Sequence, residues 1–315
     1  MQQIWQKKPV RFLVYSTWTT LIFLISLAWT YPSDALVAEV EAAVGKSGAL
    51  KSFEASGASL SGLGVALEGV SVVTPKGDPN LPWTFDRVWV GLKGFSFDPK
   101  SPSLKFAVDG YKGSVRGHYA NRQLEFEVDA LDLGGIMPLQ KMVKVGLSGQ
   151  ANGEAEFKFA DKPAGMRGLS GRVDLAINSA GVGPGEVPIP GFGSALTLPP
   201  AKVGDVPLDL EINKGEFELK KFKVTGGDVE LAGEGTLSFV GRRSSGRMDM
   251  AFDLRPTDKL KATQEGKNLL TALDPQSPLL PSRIKRSFSK KGWLGVSVTG
   301  RLSRPRIKVR KSNVN

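Results

Sequence analysis

The chain has 315 residues, 41% of them hydrophobic, which excludes wholesale disorder and leaves room for one large domain or two ordinary ones. It has no cysteine and one histidine, His118, so a disulfide framework and a thiolate metal site are excluded, and a histidine-ligated metal or a serine-type triad is hard to build. The formal charge of +11 is concentrated at one end: positions 283–315 hold eleven Lys and Arg and no acid, so the remaining 31 bases balance 31 acids and chain-wide nucleic-acid binding is not indicated.

The first eleven residues form a short basic tail with Lys7, Lys8 and Arg11, and residues 12–30 carry no charge. Nineteen residues at 1.5 Å each reach about 28 Å, close to the thickness of a bilayer core. Trp5, Trp29 and Tyr31 lie near its ends, where interfacial aromatics belong, and Asp34, Glu39 and Glu41 follow it. The spacing predicts a single transmembrane helix with a cytoplasmic tail at 1–11 and the bulk of the chain across the inner membrane, in the periplasm. The alternative is a cleaved signal peptide with Ser26-Leu27-Ala28 as its small-residue site, crowded by Trp29, Tyr31 and Pro32.

Residues 31–48 read as a linker with an amphipathic helix near 34–44: Ser33 and Asp34 can cap it, Leu36, Val40 and Val44 repeat at helical spacing, and Gly45 ends it. From Phe53 onward the period is two. Leu124, Phe126, Val128 and Ala130 alternate with Gln123, Glu125, Glu127 and Asp129. Ala155, Phe157 and Phe159 alternate with Glu154, Glu156 and Lys158, and Met248, Met250, Phe252 and Leu254 with Arg247, Asp249, Ala251 and Asp253. Such runs predict antiparallel strands with one apolar and one wet face. Turn signals separate them at Asp109-Gly110, Ala120-Asn121-Arg122, Asn213-Lys214-Gly215 and Gly226-Gly227-Asp228, and a phase slip at Lys220-Lys221 predicts a bulge. The proline-rich segment 181–205 reads as a loop or a link dividing the sheet. A helix is expected over about 260–273, and the chain closes with strands over 293–302 and 306–310. The fold class is therefore mainly β: a transmembrane helix, then a large twisted antiparallel sheet over 49–315, reading as a curved open trough with one or two short helices.

No constellation in the sequence carries chemistry. Nearly all carboxylates fall on polar strand phases, the spacing of Asp129, Asp132 and Asp174 makes no acid/base pair, Gly113-Ser114 and Gly193-Ser194 lack a nucleophile elbow, and no glycine run leads into Lys-Ser/Thr and a helix. The reading is of a protein that is not an enzyme, with no catalytic, metal or cofactor-binding residue and no nucleic-acid partner. Two sets of residues are candidates for interaction. Arg304, Arg306, Lys308 and Arg310 share one phase of the last strand and are expected to form an outer cationic ridge, facing anionic headgroups or an acidic partner or else protecting a sheet edge. Phe126, Val128, Phe157, Phe159, Met248, Met250 and Phe252 share the apolar phase and would face lipid if the sheet curls without closing.

The order of parts resembles a known family. The tail, span and capped helix, followed by Leu63-Gly64-Val65-Ala66-Leu67-Glu68-Gly69-Val70-Ser71-Val72, are similar to the start of type II secretion system protein N, in the longer form found in delta-proteobacteria. Pro190-Gly191-Phe192-Gly193 with Leu196-Thr197-Leu198-Pro199 resembles that family's middle. Gly295-Val296-Ser297-Val298-Thr299-Gly300-Arg301-Leu302-Ser303-Arg304-Pro305-Arg306-Ile307 resembles its close, a motif shared with the wider AsmA-like group. The resemblance implies an accessory component of the secretion machinery, anchored in the inner membrane, with other secretion proteins as partners and no catalytic residues. The AsmA-like likeness implies the alternative of lipid binding or transfer in an apolar groove.

Overall fold

The computed structural model describes residues 33–47, 50–75, 78–92, 103–143, 145–160, 165–188, 195–239, 246–272, 276, 282–302 and 304–314. The expected span at 12–30 lies outside these residues, and no helix among those described is long and apolar enough to cross a membrane. The chain divides into two compact units at Leu92/Lys93, not within 181–205.

The first unit begins with α1 (Ser33–Ser47), whose Asp34 in the first turn and Lys46 in the last complement the helix dipole. It passes Gly45 and ends three residues later than expected. Leu36, Val37 and Val40, one helical face, pack against buried Ala58, Leu67 and Val70 of the strands. Those strands are β1 (Ser52–Glu54), β2 (Gly57–Ser61), β3 (Gly64–Val73) and β4 (Trp83–Leu92). β3 is central: β1 and β2 follow each other along one of its edges, and β4 pairs with the other. The apolar face of this sheet is thus covered by α1.

The second unit contains β5 (Leu104–Gly110), β6 (Gly113–Ala120), β7 (Gln123–Asp132), β8 (Val145–Phe159), β9 (Leu169–Pro188), β10 (Ala195–Leu198), β11 (Ala201–Asn213), β12 (Glu216–Val224), β13 (Val229–Phe239), β14 (Gly246–Pro256), β15 (Leu294–Arg301) and β16 (Arg304–Arg310). Each pairs antiparallel with its successor, except that β11 follows β9 directly and β10 continues β11's side along the far end of β9. Three turns, at Tyr111-Lys112, Asn121-Arg122 and Lys214-Gly215, have positive φ at both central residues, the twist that suits a two-residue hairpin. The first lies two residues beyond the expected Asp109-Gly110, which ends β5. The expected bulge at Lys220-Lys221 is present: Leu219 pairs with Gly235 and Phe222 with Gly233, so the extra residue keeps both side chains on one face.

Two expectations are corrected. Segment 181–205 is not a division of the sheet, because Val182 pairs with Ala201 and Gly181 with Lys202, and β9 runs on to Pro188. Pro184 is tolerated because it falls at a register shift against β8, between the pairs Val145–Gly185 and Leu147–Val182, where no regular ladder bond is needed. The single helix over 260–273 is two, α3 (Asp258–Ala262) and α4 (Gln264–Ala272). Thr263 breaks it with ψ 153°. Its Oγ1 donates to Leu260 O at 2.9 Å and accepts from Gly266 N at 3.0 Å, replacing the helical ladder locally. The remaining α-helices among the described residues are α2 (Met137–Val143) and α5 (Ser282–Lys285).

Candidate functional site

The second unit's sheet has two chemically distinct faces, and the register shows how complete the separation is. From β5 to β9, one row aligns Phe106, Gly117, Phe126, Ala155 and Val173. It continues from β11 to β16 through Leu210, Leu219, Gly235, Met250, Val298 and Ile307. No charged residue interrupts it. A parallel row carries Leu124, Phe157, Ile212, Phe217, Leu237 and Met248, with Gly171 between Phe157 and Ile212. All seven residues expected on the apolar phase lie on this face. Val128 is buried, Phe126, Phe157, Met248, Met250 and Phe252 are half-buried, and Phe159 at the sheet's end is 42% exposed.

Glycines let the large side chains close over the face. Gly233 lies between Phe222 and Phe252, and a Cβ there would sit 2.8 Å from each ring. Gly117 holds the corresponding place between Phe106 and Phe126. Phe126 and Phe157 stack at 5.8 Å between centroids. The two core clusters of this unit consist of strand residues alone, around Val206, Leu219 and Phe222 and around Ala155, Val173 and Ile212. β11 and β13, although separated by β12, approach within 8 Å between Cα atoms, nearer than two flat strand spacings of about 4.8 Å each would bring them. The sheet curls there, and its apolar side chains pack on one another. Unlike the first unit, no described helix joins these clusters.

The opposite face is charged and acid-rich. Glu127, Glu154, Asp174 and Asp209 align across four strands, a juxtaposition of like charges that costs stability unless cations intervene. Arg172 supplies one, bridging Asp174 at 3.2 Å and Asp209 at 3.4 Å, and Lys220 contacts Asp209 at 3.4 Å and Glu211 at 3.5 Å. Lys158 donates to Glu156 at 2.8 Å, which holds its ammonium above the usual lysine range. A cavity of about 460 Å³ opens on this face, lined by Arg116, Glu154 and Arg172 among others. His118 reaches Glu125 at 3.4 Å there, as part of this surface. No group of three His, Cys, Asp or Glu among the described residues could hold a metal ion.

The C-terminal cations divide. Arg306 and Lys308 are exposed on the polar phase of edge strand β16, with Ile307 and Val309 half-buried on the other, as the alternation predicts. Arg310 leaves the expected ridge: its Nη2 donates to Asp253 Oδ2 at 2.8 Å and it is largely buried. Arg304 aligns with Arg301, which aligns with Arg247, so three arginines occupy one cross-strand row. Sequence reading missed Asp253 because it looks like any other residue of a polar strand phase. It also missed Trp293, which is 1% exposed and has Lys223 and Arg255 over its ring, at 5.4 and 5.0 Å from the centroid. No family model, curated protein or solved structure matches this chain.

Proposed function

We propose that this protein is a non-enzymatic binding component of the bacterial envelope, held at the inner membrane by residues 12–30, with its sheet in the periplasm, and that it serves the type II secretion machinery. The observation that carries the binding role is the uninterrupted apolar face across β5–β9 and β11–β16. An apolar face of that extent, with no helix over it among the described residues, is one that proteins reserve for a partner or ligand. The sequence resemblance to type II secretion protein N supplies the machine.

A second reading is favoured by the chemistry of the same face. Phe126, Phe157, Met248, Met250 and Phe252 are flexible or aromatic apolar groups set among glycines, and they suit acyl chains as well as they suit a protein. In this reading the protein binds or transfers lipid.

Deleting the gene distinguishes the two. The secretion reading expects exoproteins to accumulate in the periplasm and to be released again on complementation. Normal secretion with a detergent-sensitive envelope would support lipid handling instead, and normal secretion with a normal envelope would refute both.

A further inference from the structure

The two ends of the second unit's sheet differ. All the described α-helices of this unit, α2 to α5, lie at the end where β7, β14 and β16 terminate. The described residues of the other end are hairpin turns and the short 3-10 turn Gly165–Gly168, tied into one edge by backbone hydrogen bonds. Phe159 N donates to Arg122 O, Gly215 N to Leu169 O, Phe239 N to Gly215 O and Leu302 N to Gly246 O, all at 2.8–3.1 Å.

This edge is cationic. Arg167, Lys214, Arg247 and Arg301 are exposed along it, and none makes an ion pair among the described residues. Glu216 is the one acid among the described residues of these turns and of the two strand residues flanking each. Measured along the sheet, β9 to β15 are five spacings apart, about 24 Å. The same edge exposes Phe159, Met166 and Leu302, at 42%, 40% and 46%. Two aromatic pairs lie at the same edge, Tyr119 against Phe159 at 6.4 Å and Phe217 against Phe239 at 5.5 Å between centroids.

We infer that this turn end docks on an anionic lipid surface, the cations meeting headgroups and the three apolar tips entering the interface. Charge alone would suit an acidic protein equally well. Apolar tips on turns, beside cations that lack fixed partners among the described residues and next to two aromatic pairs, match the layered chemistry of a bilayer interface. The inference stands apart from the secretion assignment, and it uses residues other than the ridge on β16.

The test holds the full chain in nanodiscs of phosphatidylcholine and measures its capture of free vesicles. Vesicles of phosphatidylglycerol and phosphatidylcholine in equal parts should be captured, phosphatidylcholine vesicles should not, and salt should weaken capture. The variant Arg167→Gln/Lys214→Gln/Arg247→Gln/Arg301→Gln should lose on the order of a hundred-fold or more at low salt, from roughly a factor of five per cation. Arg167→Lys/Arg247→Lys/Arg301→Lys should retain capture, because a headgroup layer reads charge and not fork geometry. Lys259→Gln/Lys261→Gln/Lys267→Gln, at the opposite end, should leave it unchanged. Equal capture of neutral vesicles, undiminished capture by the Gln variant, or loss in the Lys variant as complete as in the Gln variant would each overturn the proposal. An unchanged far-ultraviolet circular dichroism spectrum establishes that each variant is folded.

Discussion

Replacing Asp253 by Ala is expected to lower the stability of the chain by about 3–5 kcal/mol, as breaking one side of a buried ion pair does. Asp253 is 5% exposed on β14, and Arg310 reaches it from β16, two strands away. The reach is possible because the residue between them in the register is Gly295, which offers no side chain to block the guanidinium. Arg310 also approaches the carbonyl of Phe252 at 3.5 Å. Without the carboxylate its charge stays in a site with 20% side-chain exposure and with no other ion-pair partner among the described residues. The pair is itself imperfect, since Asp253 Oδ1 and Arg310 Nε are buried without hydrogen-bond partners. Asp253→Leu/Arg310→Leu should therefore recover most of the loss, because removing both charges removes both desolvation costs. Urea titration of the three proteins measures this: the midpoint should fall sharply in the single variant and return in the double one. A double variant as unstable as the single would show that packing, not charge, dominates at this position.

Gly153→Val should be nearly as severe, at about 3 kcal/mol or more. Gly153 sits in β8 between Val128 of β7 and Leu175 of β9, with φ +141°, a conformation that a β-branched residue avoids. A Cβ there would lie 2.1 Å from the carbonyl oxygen of Asp174 and 2.8 Å from Leu175 Cα. Both are backbone atoms of the neighbouring strand, so relief requires parting β8 from β9, the longest pairing in the sheet. Gly57→Ala is the control: its added carbon meets nothing within 4 Å, and the expected change is within about 0.5 kcal/mol. Equal urea midpoints for the two variants would contradict the packing described for Gly153.

Much of this architecture was legible in the residues because a strand's faces depend only on alternation, which is local. The assignment of Phe126, Phe157, Met250 and their neighbours to one face needed no knowledge of strand order, and the doubled Lys220-Lys221 announced its own bulge. What escaped was whatever depends on a partner strand. Pro184 looked like an interruption because the register shift against β8 that accommodates it cannot be seen from β9 alone. β7 bulges between Val128 and Leu131, where Ala130 has φ +51° and donates its N–H to Asn152 Oδ1 of β8 at 2.8 Å. Arg310 read as a fourth member of an exposed row because its alignment with Asp253 runs through β15. The cationic turn end draws on residues as distant as Arg167 and Arg301, which share an edge only once the strand order is known. Thr263 escaped for a local reason: threonine is compatible with a helix interior, and its side-chain bonds to Leu260 and Gly266 decide the break.

The central claim is that the apolar face of β5–β9 and β11–β16 is covered in the cell by an apolar partner or ligand. Photocrosslinking tests it most directly, with benzoylphenylalanine placed singly at Phe126 and Met250 on that face and at Glu127 and Asp249 on the charged one, in the native host. Irradiation should give adducts from positions 126 and 250 and none from 127 and 249, and the adduct's mass then says whether protein or lipid covers the face. Equal yields from the two faces, or no adduct from either, would contradict the account.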